Sequence, residues 1–180
     1  MKKTVFLALI LSICLPLAFA AQNPPAPQAP APAPASGTNA LADYTRQIKY
    51  DGLVLSVLLV NNRTAEVLFQ PPMRYSMRAR ANQQTVLYVQ GTPAKDFDLT
   101  NVFTIEQEGQ TLAGTSTSVK NFTTGKVPAG QRIDGIVEFS RKVDLTKAFT
   151  VHNGTAGSVQ FILTPEAIKA LTPPPPPGIR

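Results

Sequence analysis

Proline decides which parts of this 180-residue chain can fold at all. Most of its seventeen prolines crowd into residues 24–34 and 173–177. Proline has no N–H to give a ladder and cannot continue a helix, so neither segment can join a packed core. The stretch between them holds nearly all of the large apolar residues beyond the first twenty. One domain of ordinary size is expected there, over residues 40–171.

The flanks read as a leader, a spacer and a tail. Lys2 and Lys3 precede an apolar run over residues 5–17, and Ala18 and Ala20 stand three and one positions before an expected cut. That is the three-part form of a secretory signal peptide over residues 1–20. The run is too short, and too soon broken by Pro16, for a membrane span, so no transmembrane segment is expected in the mature chain. Cys14 is the only cysteine. Ile13 before it is bulky where a lipidation motif has a small residue, so Cys14 reads as part of the leader, with a lipid anchor as the alternative. Cleavage after Ala20 would leave no cysteine and exclude disulfides. Residues 21–39 form the linker; within it, residues 23–37 read NPPAPQAPAPAPASG, an extended polyproline-type spacer. Fifteen residues at about 3.1 Å each reach roughly 45 Å. Residues 172–180 make a proline-rich tail. Export points to a periplasmic or secreted protein.

Within residues 40–171 the β signals dominate. Residues 40–50 are ambiguous: Leu41, Tyr44 and Ile48 fit helical spacing, but a strand could begin at Gln47. Residues 52–60 are a nearly continuous apolar run, as in a strand buried on both faces, and Asn61-Asn62 marks a turn. A short strand is expected over 65–69. From 73 to 80 the residues alternate, with Met73, Tyr75 and Met77 on one face and Arg74, Ser76, Arg78 and Arg80 on the other. Period two predicts a half-buried strand with an arginine face. Its partner strand would be 85–90. Glu108-Gly109 and residues 153–156 read as hairpin connections, and residues 127–130 as a turn before a strand at 131–139. Thr164, Pro165 and Glu166 predict the cap and first turn of a short closing helix. Eight or nine short strands punctuated every eight to twelve residues predict an all-β sandwich.

The segment LVLSVLLVNNRTAEVLF, then VFTIEQEGQTLAG and KVPAGQRIDGIVEFSRKVDLTKAFTV, resembles bacterial secreted immunoglobulin-like (telokin-like) domains of unknown function. Gly109, Pro128, Gly130, Gly135 and Phe139 carry the resemblance, which covers most of residues 45–163. It implies an immunoglobulin-like β-sandwich of about eight strands, in an exported group with no established activity.

The chemical inventory excludes much. With one histidine, His152, and no Trp, any imidazole-based mechanism must use His152, and no Ser lies in a GxSxG elbow. Nucleotide loops of the GxxxxGK[ST] or GxGxxG type are absent. Asp96 and Asp98 are a close acidic pair without a calcium-loop glycine and read as solvated. Met73, Met77 and His152 are scattered and read as core and surface rather than copper ligands. Asn62, Asn121 and Asn153 begin Asn-x-Thr sequences suited to surface loops. No catalytic residue, metal or cofactor is expected. Loss of Lys2 and Lys3 lowers the net charge from +6 to +4, which does not point to nucleic acid.

The positive feature is the arginine face. Arg74, Arg78 and Arg80 suit carboxylate or phosphate groups of an anionic ligand. The bland alternatives are charge that protects an edge strand, or pairing with acids such as Glu66 or Glu106. The functional expectation is an exported, non-enzymatic binding domain of the bacterial envelope, for a protein or an anionic polysaccharide. The alternatives are a structural subunit of an envelope assembly and an accessory domain to a secreted enzyme.

Overall fold

The computed structural model describes residues 41–171. The expected leader, Cys14, the spacer and the tail lie outside them. The described chain is mostly β, with ten strands and three short helices. In chain order these are β1 (Thr45–Tyr50), β2 (Leu53–Val60), α1 (Asn62–Leu68), α2 (Met73–Gln83), β3 (Val86–Gly91), β4 (Phe97–Leu99), β5 (Phe103–Gln107), β6 (Gln110–Lys120), β7 (Gly125–Val127), β8 (Ile133–Phe139), β9 (Phe149–Asn153), β10 (Gly157–Phe161) and α3 (Pro165–Leu171).

Eight strands form one antiparallel sheet in the order β1-β2-β3-β8-β6-β5-β9-β10, and β4 pairs with β7 alone. β6 belongs to both halves: residues 110–113 pair with β5, and from Gly114 onward the strand pairs with β8. At the other side β10 packs back on β1. Arg46 Nη2 donates to Ile162 O at 2.8 Å, and the guanidinium lies 5.5 Å from the centre of the Phe161 ring. The sheet therefore curls almost into a barrel, which leaves few edges open.

Alternation fills the inside. Leu53, Leu55, Val57 and Leu59 of β2 meet Leu87 and Val89 of β3 and Val137 and Phe139 of β8 in one buried cluster. Phe149 and Phe161 stack at 5.0 Å between ring centres, and Phe103 meets Phe122 at 5.8 Å. Phe122 fits because residue 135 is glycine: a Cβ there would stand 1.8 Å from Phe122 Cδ1. The β5–β6 turn is the expected one, with Glu108 at φ +50 and Gly109 at φ +75. Left-handed backbone at both central residues matches the strand twist and explains the glycine. The hairpin between β9 and β10 and the closing helix also stand where expected; Ala167 N donates to Thr164 Oγ1 at 3.2 Å. The ambiguous start resolves into strand β1, with Tyr44 and Ile48 both buried.

Two expected strands are helices. Residues 65–69 lie largely in α1 and residues 73–80 in α2. Asn61, read as a turn residue, caps α1: its Oδ1 accepts from Arg63 N and Thr64 N at 2.9 Å, and Asn61 N donates to Thr64 Oγ1 at 2.8 Å. In α2 the buried residues are Met77 and Ala81, four apart, while Met73 and Tyr75 are exposed. The arginine face of a strand is thus corrected to the surface of a helix. The reason is tertiary. The outward side of β2, β3 and β8 is also apolar and must be covered. Val60, Val86 and Ile136 are buried there beneath Ala65, Phe69, Met77 and Ala81 in a second cluster. Phe69 meets Tyr88 edge-on at 5.6 Å. Met, Arg and Ala are good helix formers, so eight alternating residues did not commit the segment to a strand.

The change of element moves the buried face away from Tyr75. Tyr75 is 63% exposed, so Tyr75→Ser should change stability by no more than about 0.5 kcal/mol. Met77→Ala should cost about 2–5 kcal/mol by opening a cavity under the helices. Chemical denaturation of the two variants reads the difference directly.

Candidate functional site

A broad depression opens where β1 ends, between β4 and the β9–β10 turn. It holds about 1030 Å³ including its open mouth, and Tyr50, Phe97, Asp98, Thr100, Asn153 and Thr155 are among the residues that line it. Its floor is built by phase. Phe149, Val151 and Asn153 occupy alternate, inward positions of β9, so the strand delivers an amide to the end of the core. Asn153 is 3% exposed. Its Oδ1 accepts from the Tyr50 hydroxyl at 2.6 Å, and its Nδ2 donates to Thr100 O at 2.5 Å and Val102 O at 3.4 Å. Two segments distant in sequence, the end of β1 and residues 100–102, are thereby tied to one side chain of β9. Gly157 makes room for Tyr50, since a Cβ there would lie 2.1 Å from the phenol oxygen.

Above this floor the Tyr50 ring meets Phe97 at 5.3 Å and 62°, an edge-to-face pair. The rim is acidic and hydroxylic. Asp51 is largely open to solvent and pairs with Lys95 Nζ at 2.5 Å. Asp98 is exposed and stands opposite Lys126 in the β4–β7 ladder. Lys126 binds Asp96 at 3.0 Å, and this bond, with one from Ala129 N, holds the Asp96 carboxyl below its usual range. Lys126 thus pairs with one acid of the Asp96/Asp98 pair and stands across the ladder from the other.

Burial pushes the Tyr50 phenol up to about 12. Its folded value exceeds its ordinary value of 10.0, so its contribution to stability is complete below pH 10 and is lost as pH rises through about 12. The floor tyrosine is a neutral hydrogen-bond donor at physiological pH. Stability should fall over that alkaline window, and the fall should be smaller in Tyr50→Phe. Urea midpoints measured from pH 9 to 12 test this; Tyr44 and Tyr88, also raised by burial, contribute to what remains.

The residues singled out in the sequence lie elsewhere. Arg74 and Arg78, one turn apart on α2, converge on Glu66 of α1: Arg74 Nη1 lies 3.1 Å from Oε2 and Arg78 Nη1 lies 2.6 Å from Oε1. Arg80 pairs instead with Glu138 on β8. Glu66 is thus the acid that answers two of them, across a helix pair rather than across strands. Glu106 faces His152 at 3.5 Å. Such half-exposed pairs contribute little, so Arg74→Gln with Arg78→Gln should cost less than about 1 kcal/mol per pair, with the cost shrinking in high salt. Thermal melts at low and high ionic strength check it. Met77 is buried beneath α2, whereas His152 pairs on β9, so the scattered copper set does not assemble. Among the described residues no three His, Cys, Asp or Glu side chains gather as a metal centre.

Tyr50, Phe97 and Asn153 are the residues that sequence reasoning missed as a group. Asn153 stood out as an Asn-x-Thr position and as the first residue of a hairpin connection; it is instead the buried last residue of β9. Its in-phase spacing with Phe149 and Val151 was the available signal. No protein-family model matches this chain, and comparison with curated proteins and with solved structures found no match.

Proposed function

We propose that this chain is a non-enzymatic, exported binding domain whose ligand site is the Tyr50–Phe97 cleft, and that the ligand is a neutral saccharide. The observation that carries this reading is an aromatic pair on a rigid Asn153-anchored floor with carboxylates and hydroxyls at its rim. Aromatic faces take the C–H side of a sugar ring, while carboxylates and hydroxyls bond its hydroxyl groups. Asp51 and Asp98 at the mouth disfavour an anionic polysaccharide, and the arginines that would have favoured one are paired with Glu66 and Glu138. The leader-like first twenty residues and the spacer support export. The immunoglobulin-like assignment belongs with this proposal. It is supported by β6, which divides the strands into a β1-β2-β3-β8-β6 leaf and a β6-β5-β9-β10 leaf.

Isothermal titration with neutral β-linked oligosaccharides tests the site. Phe97→Ala and Asp98→Asn should each weaken binding at least tenfold; Asp98→Asn should leave the melting point nearly unchanged, while Phe97→Ala also lowers it because the ring packs on the core. Absence of saturable binding to any neutral oligosaccharide, or binding indifferent to Phe97→Ala, would sink the proposal. A second reading, a structural subunit of an envelope assembly, draws support from β6. Beyond Gly114 it pairs with β8 on one edge and has no strand on the other, and Val119 is exposed there. Crosslinking on cells would give a ladder of multimers in that case.

A further inference from the structure

The turn after β9 carries the one Asn-Gly step in the sequence, Asn153-Gly154. Gly154 has φ +58, in the left-handed region, so the turn itself asks for glycine. Asn153 is therefore followed by a backbone nitrogen that no side chain shields. Such a nitrogen is the nearest nucleophile to the Asn153 side-chain amide, and the fold keeps the two apart. Asn153 ends β9 with its backbone opposite Phe103 on one side and Gly157 on the other. Closing a ring onto the amide carbon needs the Asn153 Cα–C bond turned far from the strand value of about +135°. Gly154 N donates to Val102 O at 2.8 Å, so the proton that must leave is held. The amide is held at both ends as well, Oδ1 by the Tyr50 hydroxyl and Nδ2 by Thr100 O and Val102 O. Burial of Asn153 also keeps out the water that the reaction consumes.

We propose that Asn153 is a self-modification site, a one-way deamidation locked by the fold and released when this corner opens. On opening, Gly154 N gives its proton to hydroxide and bonds to Asn153 Cγ. The Cγ–Nδ2 bond breaks, and ammonia leaves with a proton taken from water. Water then adds to one of the two ring carbonyls. The product is an aspartate, or an isoaspartate whose main chain runs through the former side chain. Neither rebuilds the corner. Aspartate keeps an oxygen for the Tyr50 hydroxyl but sets the other against Thr100 O and Val102 O, where a donor stood. Isoaspartate adds a carbon to the backbone and breaks the register with Phe103 and Gly157. Opening thus puts the Tyr50–Phe97 cleft out of use for good, whatever its ligand.

The test incubates the full chain at mildly alkaline pH, in buffer and in denaturing urea, and follows the Asn153 peptide by mass. Asp51-Gly52 and Asp134-Gly135 can close the same ring, but they lose water and regain it, so a gain of one mass unit in this peptide reads Asn153. Conversion is expected to be at least about a hundredfold slower in buffer, because it needs an opening that the fold keeps rare. Tyr50→Phe frees Oδ1 and should speed conversion about tenfold in buffer while leaving the urea rate unchanged. Chain converted in urea, refolded and separated by its extra negative charge should melt below unconverted chain treated in the same way. Equal rates in buffer and urea overturn the proposal, as does a converted chain that regains the native melting point. A Tyr50→Phe rate in buffer no faster than the parent's does so too, since the amide is then not held through Oδ1.

Discussion

Gly135→Ala is expected to destabilise the domain by about 3–5 kcal/mol, as much as losing a buried phenylalanine outright. The added methyl would stand 1.8 Å from Phe122 Cδ1 and 2.2 Å from Cγ, inside the ring rather than beside it. Phe122 is fully buried and tethered, since its N donates to Ser118 Oγ at 3.0 Å and its O accepts from Asn101 Nδ2 at 3.3 Å. It cannot slide aside, and β8 is paired on both edges by β3 and β6 and cannot move out. The ring must leave the core. Phe122→Ala should therefore cost a similar amount. The double variant should cost far less than the sum, because the alanine methyl occupies part of the space the ring vacates. Urea denaturation of the four proteins, compared at equal m, measures the coupling. Additive costs would show that the ring does not lie on the glycine.

Asn153→Ala carries the second large expectation, a loss of about 2–4 kcal/mol, since one buried polar group left unmatched costs about 1–3. The Tyr50 hydroxyl loses its acceptor, and Thr100 O loses its donor. The cleft should suffer as well, because Asn153 ties the end of β1 to the segment after β4. Ligand affinity in this variant should fall even at temperatures where it is folded. Thr155→Ala is the informative companion. It removes the Asn-x-Thr sequence but leaves the amide, and Thr155 is exposed, so stability should stay within about 0.5 kcal/mol. Equal damage from both changes would shift the explanation from the buried amide to the turn.

What could be read from the chain alone divides by how local its cause is. Glu108-Gly109 and residues 153–156 were legible as hairpins because turn chemistry is decided within a few residues. Thr164-Pro165 announced α3 for the same reason. Residues 73–80 were misread because the deciding fact is distant. Val60, Val86 and Ile136 on the outward side of the sheet needed cover, and only a helix placing Met77 and Ala81 on one stripe supplies it. The spacing of those two residues, and a cap-like Asn61 three before Thr64, were the faint local hints. The arginines were correctly seen to have acids available, but the change of element altered which acid each one meets. The cleft was illegible because Tyr50, Phe97 and Asn153 come from three separate parts of the chain and meet only once the strands have curled.

The near-closure of β10 on β1 has a mechanical consequence. Tyr44, at the start of β1, donates its hydroxyl to Ala167 O of α3 at 2.7 Å, so the folded body begins and finishes at one pole. β1 runs from there to Tyr50, and β10 returns from Gly157, which puts the Tyr50–Phe97 cleft at the opposite pole. A pull applied through both ends would load the β1–β2 ladder from its Thr45–Leu58 rung, one rung at a time. That is unzipping rather than shear, and it asks little force because the bonds break in turn instead of together. The same geometry makes the domain a cassette. Its ends can be joined and reopened at Glu108-Gly109, or spliced into a loop of another protein, with the circuit of strands intact and the cleft still turned away from its carrier.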